Sequence, residues 1–329
     1  MHLGIMARTF PRSSLEETLD AIADLGIRHV QFNFSCAGMP TLPDRIDEDL
    51  CIWIARGFRE RGLTMAAVSG TFNLCDPDAS RLAMNLRRLG LLAAACRWLD
   101  TRIVTLCTGT LDPADLWNWH PGNVRRSTWE TLINSMREAV KLADRHEVIL
   151  AFEPERNNVV YSVARARMLL DQIGSPWLKV VLDAANLMTA HDRPRLVEIL
   201  DEAREWLGPE VVLAHAKIPP YLMAEDKMSR IREYASRLEP GDLLQRIALS
   251  QMADTLKEAE IPLTESQGKL LADPVPEELL ILHEYLTTYV GSLRHVGFTG
   301  SAPYPGALIM HGMTEEDTGP VQKILSGLV

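Results

Sequence analysis

Apolar positions along the chain follow two spacings in turn. Short runs rich in β-branched residues occupy 2–7, 29–34, 63–69, 102–107, 148–153, 178–183, 211–216 and 307–312, and they read as strands. Between most of them the apolar residues fall three or four apart, the spacing of one helix face. Leu15, Leu19, Ile22 and Leu25 make the first such face, with Ser13 and Glu16 placed for a capping box and Gly26 as the stop. Ile133, Met136, Val140 and Ala143 make a later one, opened by Ser127 and Glu130. Leu196, Ile199, Ala203 and Leu207 make another, and Val321, Ile324 and Leu328 the last. Strands alternating with helices build right-handed βαβ units on a parallel sheet, and eight of them predict an α/β fold closed as a (β/α)8 TIM barrel. An open doubly wound sheet is the rival. Neither of the glycine-rich phosphate-binding motifs follows an early strand, which counts against it.

The interval between the last two strands, 211 to 307, is too long for one helix and two loops. It holds two further helical patterns, Ile231, Tyr234 and Leu238 in one and Leu244, Ile247 and Met252 in the other. They predict a helical insertion over 220–266, after strand 7, followed by a regular helix near 277–294. An excursion from the end of a barrel strand leaves on the face where such barrels place their chemistry, so a lid is one reading and a subunit contact the other. No repeat, low-complexity tract or linker interrupts the chain, and residues 1–329 are expected to form one domain.

Composition narrows the classes. Of 329 residues, 47% are hydrophobic and 24% charged, which excludes wholesale disorder. Lys and Arg number 34 against 44 Asp and Glu, a net charge of −10, so a polyanion meets a repulsive field and nucleic acid is not an expected partner. No apolar run approaches the roughly 18–20 residues that cross a bilayer, and no membrane partner is expected. The opening residues read straight into a strand without a signal-peptide pattern. Cys36, Cys51, Cys75, Cys96 and Cys107 are scattered, without a CxxC pair, as suits buried thiols in a cytoplasmic protein.

Chemistry collects at the strand ends. VILAFE closes on Glu153, KVVLD on Asp183, VVLAH on His215 and ALIMH on His311. Residues two and four earlier are mostly small or apolar: Ala151 and Ile149, Val181, Leu213 and Val211, Ile309 and Ala307. Side chains alternate along a strand, so all four polar groups are expected to share the face of the residues that fill the barrel and to converge at its C-terminal mouth. Two carboxylates and two imidazoles on successive strands are the donor set of a divalent-metal site. Singly, each has a plainer explanation, a helix-capping acid or a satisfied core histidine. Four in a row would otherwise bury four expensive polar groups.

Three short motifs, FEPERNN (152–158), LDAANL (182–187) and LAHAKI (213–218), on a barrel that opens LGIMARTF, resemble the xylose isomerase-like TIM barrels, the sugar phosphate isomerase/epimerase superfamily. The resemblance spans most of the chain outside the insertion. It implies one divalent metal, commonly manganese, cobalt, magnesium or zinc, held by Glu, Asp, His and a final Glu. Its members mostly isomerise or epimerise small sugars, with dehydratases, lyases and abasic-site endonucleases among their relatives. Glu153, Asp183 and His215 match the first three ligands. The fourth departs: His311 stands where epimerases carry a glutamate, which removes the second of two carboxylates that exchange the substrate proton from opposite faces. Glu315 is the nearby carboxylate, with a place in the first turn of the last helix as its plainer role. Asn186 also departs, standing where sugar epimerases often carry a substrate-touching histidine.

Further residues share this end. Lys217, two after His215, is expected to face inward and polarise a substrate carbonyl or pair with Glu155. Glu155, Arg156 and Asn186 are candidate substrate contacts, as is His120 within WNWHPGN (117–123), between Trp117 and Trp119. Arg8 is placed to hold an anionic group, and Asn33 and Asn73 to donate to hydroxyls. The expected reaction is proton transfer beside a carbonyl of a small polyhydroxylated compound in carbohydrate metabolism, through a metal-stabilised enediolate. Glu153 is the leading base, with His311 or Glu315 opposite and Lys217 in support. Return of the proton to the neighbouring carbon makes an isomerase, return to the same carbon an epimerase, and loss of a β-hydroxyl a dehydratase. A barrel that binds a metabolite without turnover is a further alternative. Metal-dependent DNA hydrolysis asks for more histidines and the opposite charge. The glycines of GFTG (297–300) are too few to argue for a phosphorylated substrate, and a homo-oligomer is left open.

Overall fold

The computed structural model describes residues 1–259, 261–298, 304 and 306–329, without the side chain of Asp254. Thr299 and Gly300 of the GFTG stretch, and residue 260 of the insertion, lie outside them. Eight parallel strands close on themselves: β1 (His2–Met6), β2 (His29–Phe32), β3 (Thr64–Ser69), β4 (Ile103–Cys107), β5 (Ile149–Glu153), β6 (Leu178–Asp183), β7 (Val211–Ala216) and β8 (Ala307–Met310), with β8 pairing back onto β1. This is the (β/α)8 barrel that the alternation of spacings predicts, and closure removes the open doubly wound sheet. The helices between the strands are α1 (Leu15–Asp24), α2 (Glu48–Glu60), α3 (Ala79–Leu99), α4 (Arg126–His146), α5 (Val163–Ile173) and α6 (Leu196–Leu207). After β7 come α7 (Glu225–Ser236), α8 (Pro240–Glu258), α9 (Glu265–Leu271) and α10 (Glu277–His295), and α11 (Glu315–Leu325) follows β8.

Two apolar layers hold the barrel. The inner one is small, with Met6, Ala66, Ala67, Ile103, Ile149, Ala151, Val181, Leu213, Ala307 and Ile309 filling the cylinder. The larger one lies between strands and helices and includes Phe32, Phe152, Leu182 and Tyr289. Close packing of the inner layer explains Gly4 in β1. A methyl group there would sit 2.5 Å from Ile309 Cδ1 and 2.7 Å from the His29 carbonyl.

Several local expectations shift. Ser14, not Ser13, caps α1, accepting from the Glu17 backbone, while the Glu17 carboxylate accepts from the Ser13 backbone and hydroxyl, so the cap lies one residue later than Ser13 and no reciprocal pair forms with Glu16. Helix α4 starts at Arg126 without a side-chain cap, which leaves Ser127 and Glu130 inside it. Val211 joins the outer layer and Val212 the inner one, because β7 bulges: Val180 pairs Val211, but Val181 pairs Leu213. In α8 the buried face is Leu243 and Ile247, and Met252 is exposed. The insertion runs along the outer wall. Arg232 of α7 bonds Asp317 of α11, Lys323 of α11 donates to the Ala235 and Leu238 carbonyls, and α8 packs on α11 as well. Helix α10 takes the regular place beside α6, with the Tyr289 hydroxyl donating to the Leu182 carbonyl at 2.6 Å.

Candidate metal centre

The inner layer ends in a polar one. Gln31, in the middle of β2, is buried, and its amide nitrogen lies 3.2 Å from both Ser69 Oγ and Thr105 Oγ1. Its Oε1 meets His215 Nε2 at 2.8 Å. The ring of His215 is thereby turned so that Nδ1 faces Glu153 Oε1 at 3.2 Å and Asp183 Oδ2 at 4.0 Å. Parallel register sets these neighbours: Asp183 pairs with His215, and His215 with Ile309, two residues before His311. The His311 backbone continues the pairing just past β8, donating to the Ala216 carbonyl, and its ring stacks on His215 with centroids 4.3 Å apart.

Asp183, His215 and His311 each present a ligand atom within 4.8 Å of the other two. Two enclosed atoms of this trio, Asp183 Oδ2 and His311 Nδ1, have no hydrogen-bond partner among the described residues. A buried carboxylate oxygen and a buried imidazole nitrogen without partners are costly, and a shared cation relieves both at once. The donor set, one carboxylate and two imidazoles with Glu153 alongside, fits a divalent metal of the zinc, manganese or cobalt type. Protonation agrees. Burial pulls His215 down to about 4 against the pull of Asp183, and burial followed by His215 takes His311 to about 3, so both rings are neutral near pH 7 and able to donate a lone pair. Burial pushes Asp183 up to about 7, Glu153 adding to the rise and Lys217 opposing it. The Asp183 Oδ1 is satisfied by the Ala185 backbone at 3.0 Å, which leaves Oδ2 to the centre.

Around this trio lies a shell of bonds. Glu153 Oε1 accepts from the Asn186 side-chain amide, and Asn186 Oδ1 accepts from Lys217 Nζ at 2.7 Å. Burial would lower Lys217, but Asp183, Glu153 and Glu155 outweigh it and hold the ammonium charged. Glu155 is buried and pushed up to about 7 by that burial, with Lys217 opposing and Glu153 reinforcing the rise; its Oε1 accepts from the Asn157 backbone. Lys217 thus faces inward as its spacing from His215 requires, held by Asn186 with Glu155 as a charge neighbour.

Most of the other candidates bond to the loops that carry them. Arg156 donates to the Met188 carbonyl at 2.9 Å. Asn73 is tied up in the loops after β3 and β4, its Oδ1 accepting from Cys75 and Thr110 and its Nδ2 donating to the Thr110 carbonyl. Asn33 caps the turn after β2, accepting from Ser35 and Thr41. His120 accepts from the Gly122 backbone at Nδ1, capping its own turn, while Trp117 and Trp119 beside it are exposed and Trp119 meets Tyr161 edge-on. Glu315 is held in a two-bond pair with Arg12 at 2.7 and 2.9 Å, with both side chains partly exposed. Arg8 is exposed on the turn after β1. Sequence reasoning missed Gln31, although a glutamine between Val30 and Phe32 in a short strand is the available signal. A cavity of about 730 Å³ opens at the far, N-terminal end of the strands, lined by Arg97, Arg102, Trp177 and Tyr304, away from this chemistry.

The sequence profile of the xylose isomerase-like TIM barrel family matches residues 15–243. No curated protein matches the chain significantly. Among solved structures, a 3-keto-D-glucoside 4-epimerase from E. coli superposes with a TM-score of 0.58 at 13% identity, covering 100% of this chain and 98% of that one. A probable 3-DHS dehydratase from Bacillus anthracis gives 0.59 at 11%, covering 99% and 98%. The IOLI protein with a bound zinc atom gives 0.57 at 13%, covering 99% and 95%. At these identities the likeness concerns the fold. No helix among the described residues is long and apolar enough to cross a membrane.

Proposed function

Since the chain belongs to the xylose isomerase-like TIM barrel family, we propose that it is a divalent-metal-dependent isomerase or epimerase of a small sugar or sugar-like polyhydroxy carbonyl compound. The observation that carries this reading is the gathering of Asp183, His215 and His311 at the C-terminal end of the strands, each with a ligand atom within 4.8 Å of the others, where Asp183 Oδ2 and His311 Nδ1 are buried without a hydrogen-bond partner among the described residues. Asp183, His215, His311 and Glu153 would hold the metal. When bound, it supplies Lewis-acid polarisation of a substrate carbonyl. Neighbouring structures include sugar epimerases and a protein holding zinc, which supports the class of chemistry without fixing the substrate.

The chain's own residues do the rest. Glu153 takes the proton from the carbon beside the carbonyl, its Oε1 held by the Asn186 amide. Lys217 Nζ, kept charged by three carboxylates, donates to the oxygen on which negative charge develops. The lone pairs of His215 and His311 stay free because burial keeps both rings neutral. We place the protein in the cytosol, where its five free cysteines stay reduced.

Dehydration is the second reading. Glu315 is paired outward with Arg12 and His311 occupies the end of β8, so the substrate meets a carboxylate base from the Glu153 side. A single-sided base suits proton removal followed by loss of a β-hydroxyl, and a probable dehydratase is among the neighbours.

Elemental analysis of the purified protein tests the metal, and incubation of ketoses, inososes and hydroxy-keto acids in deuterium oxide tests the proton step. We expect about one equivalent of metal, and solvent deuterium at a carbon beside the carbonyl that Glu153→Gln suppresses about 10²–10⁴-fold. Protein that holds no metal after growth and reconstitution with manganese, zinc or cobalt would sink the reading.

A further inference from the structure

Asn186 touches more of the proposed centre than any role as a substrate contact requires. It is buried on the turn that follows β6, three residues after Asp183. Its backbone nitrogen donates to Asp183 Oδ1 at 3.4 Å, and its carbonyl accepts from the Arg156 backbone at 3.2 Å. Its side chain lies between Lys217 Nζ and Glu153 Oε1.

The direction of that side chain follows from chemistry. An ammonium only donates, so the atom facing Lys217 is the amide oxygen. The nitrogen therefore faces Glu153, whose carboxylate accepts. Lysine, amide and carboxylate form a chain in which every donor meets an acceptor, and a flip of the amide would set two donors and two acceptors against one another. Among the described residues the other contact at Glu153 Oε1 is His215 Nδ1, the nitrogen turned toward the proposed metal. Without the amide, Oε1 has no fixed donor among the described residues.

From this arrangement we propose that Asn186 is a positioning residue, which orients the Glu153 carboxylate for metal binding and is itself oriented by Lys217. The proposal rests on the reading of Glu153 as a ligand given above. It assigns the asparagine of DAAN a task toward the protein's own carboxylate, carried out before substrate arrives. Partners of this kind typically change metal affinity by about 10–100-fold when removed, because a carboxylate that must be ordered on binding binds less tightly.

Cobalt(II) is the probe, since its visible absorption reports the ligand arrangement as well as occupancy. Metal-stripped protein is titrated with cobalt(II) alone, in four forms: wild type, Asn186→Leu, Asn186→Ser and Glu153→Gln. Leucine keeps the branching and heavy-atom count of asparagine, with somewhat more bulk, and removes both side-chain bonds, so a residue that merely filled space would leave affinity and spectrum close to those of the wild type. We expect both Asn186 variants to bind about tenfold or more weakly, with an altered visible band, while their circular dichroism matches the wild type. If the leucine variant fails to fold, the smaller serine carries the same comparison. Wild-type affinity and spectrum in the folded Asn186 variants, with Glu153→Gln weakened, overturns the positioning role and leaves the metal centre standing. Unchanged binding in Glu153→Gln instead removes Glu153 from the ligands, and the positioning role with it.

Discussion

Replacing Asp183 by asparagine should stabilise the metal-free protein at alkaline pH while abolishing its response to metal. Asp183 is fully buried, with Oδ2 unpartnered among the described residues. Burial first, then Glu153, raise its folded-state pKa from 3.8 to about 7, against the opposing pull of Lys217. A carboxyl raised in the folded state binds more protons there than in the unfolded chain between those two values. Stability therefore falls as pH climbs from about 4 to 7 and stays low above. At 1.36 kcal/mol per pH unit, the deficit at pH 8 is about 4 kcal/mol. An amide at the same place keeps the backbone bond to Ala185 and turns its NH₂ toward neutral imidazole nitrogens, at a burial cost of about 1–2 kcal/mol. The net gain is about 2–3 kcal/mol. With an unfolding entropy near 2.1 cal/mol/K per residue, this raises Tm by about 3–4 °C in a chain of this length. The assay is thermal unfolding in chelator at pH 8 and pH 5. At pH 5 the wild-type carboxyl is already protonated in the folded state, and most of the gain should vanish. Adding zinc or manganese at about 1,000 times Kd should reverse the order, since binding then adds about 4 kcal/mol to the wild type alone. A metal-free Asp183→Asn protein less stable than wild type at pH 8, or a gain that ignores pH, would refute the reasoning.

Three further outcomes follow. Gln31→Leu removes the partner of His215 Nε2, and metal affinity measured by calorimetry should fall about 10–100-fold with the barrel intact. Gly109→Ala should lower Tm by several degrees, because Gly109 has φ +85° and a methyl group there would lie 1.9 Å from Asn73 Oδ1; strain of this kind costs about 1–3 kcal/mol before the clash is counted. Glu315→Gln should leave metal affinity and proton exchange unchanged, since its carboxylate is paired outward with Arg12; a loss of either in that variant would return Glu315 to the site.

Much of the site was readable because its members share one local rule. Glu153, Asp183, His215 and Lys217 sit at or just past strand ends with the parity of barrel-filling residues, and parity is a property of consecutive positions. Asn33, Asn73 and His120 show where that legibility stops. Each lies near the same rim, yet their polar atoms close the turns that hold the rim in place. A side chain that caps a turn and one that touches a ligand have the same composition and neighbourhood in sequence. Only the hydrogen-bond partners distinguish them, and for Asn73 one of these lies 37 positions away at Thr110.

The sequence alone determined the barrel, because the switch between two-residue and 3.6-residue spacing is written locally and eight repeats of it close in one way. It also determined which strand ends carry carboxylates and imidazoles. Only the tertiary structure decided which of their atoms lack partners, that β7 bulges at Val212, that Gln31 turns His215, and that Asn186 joins Lys217 to Glu153. Those facts depend on pairs between 31 and 184 residues apart, whose meeting is fixed by register and packing around the closed sheet, and no periodicity along one strand or helix encodes a distance across it.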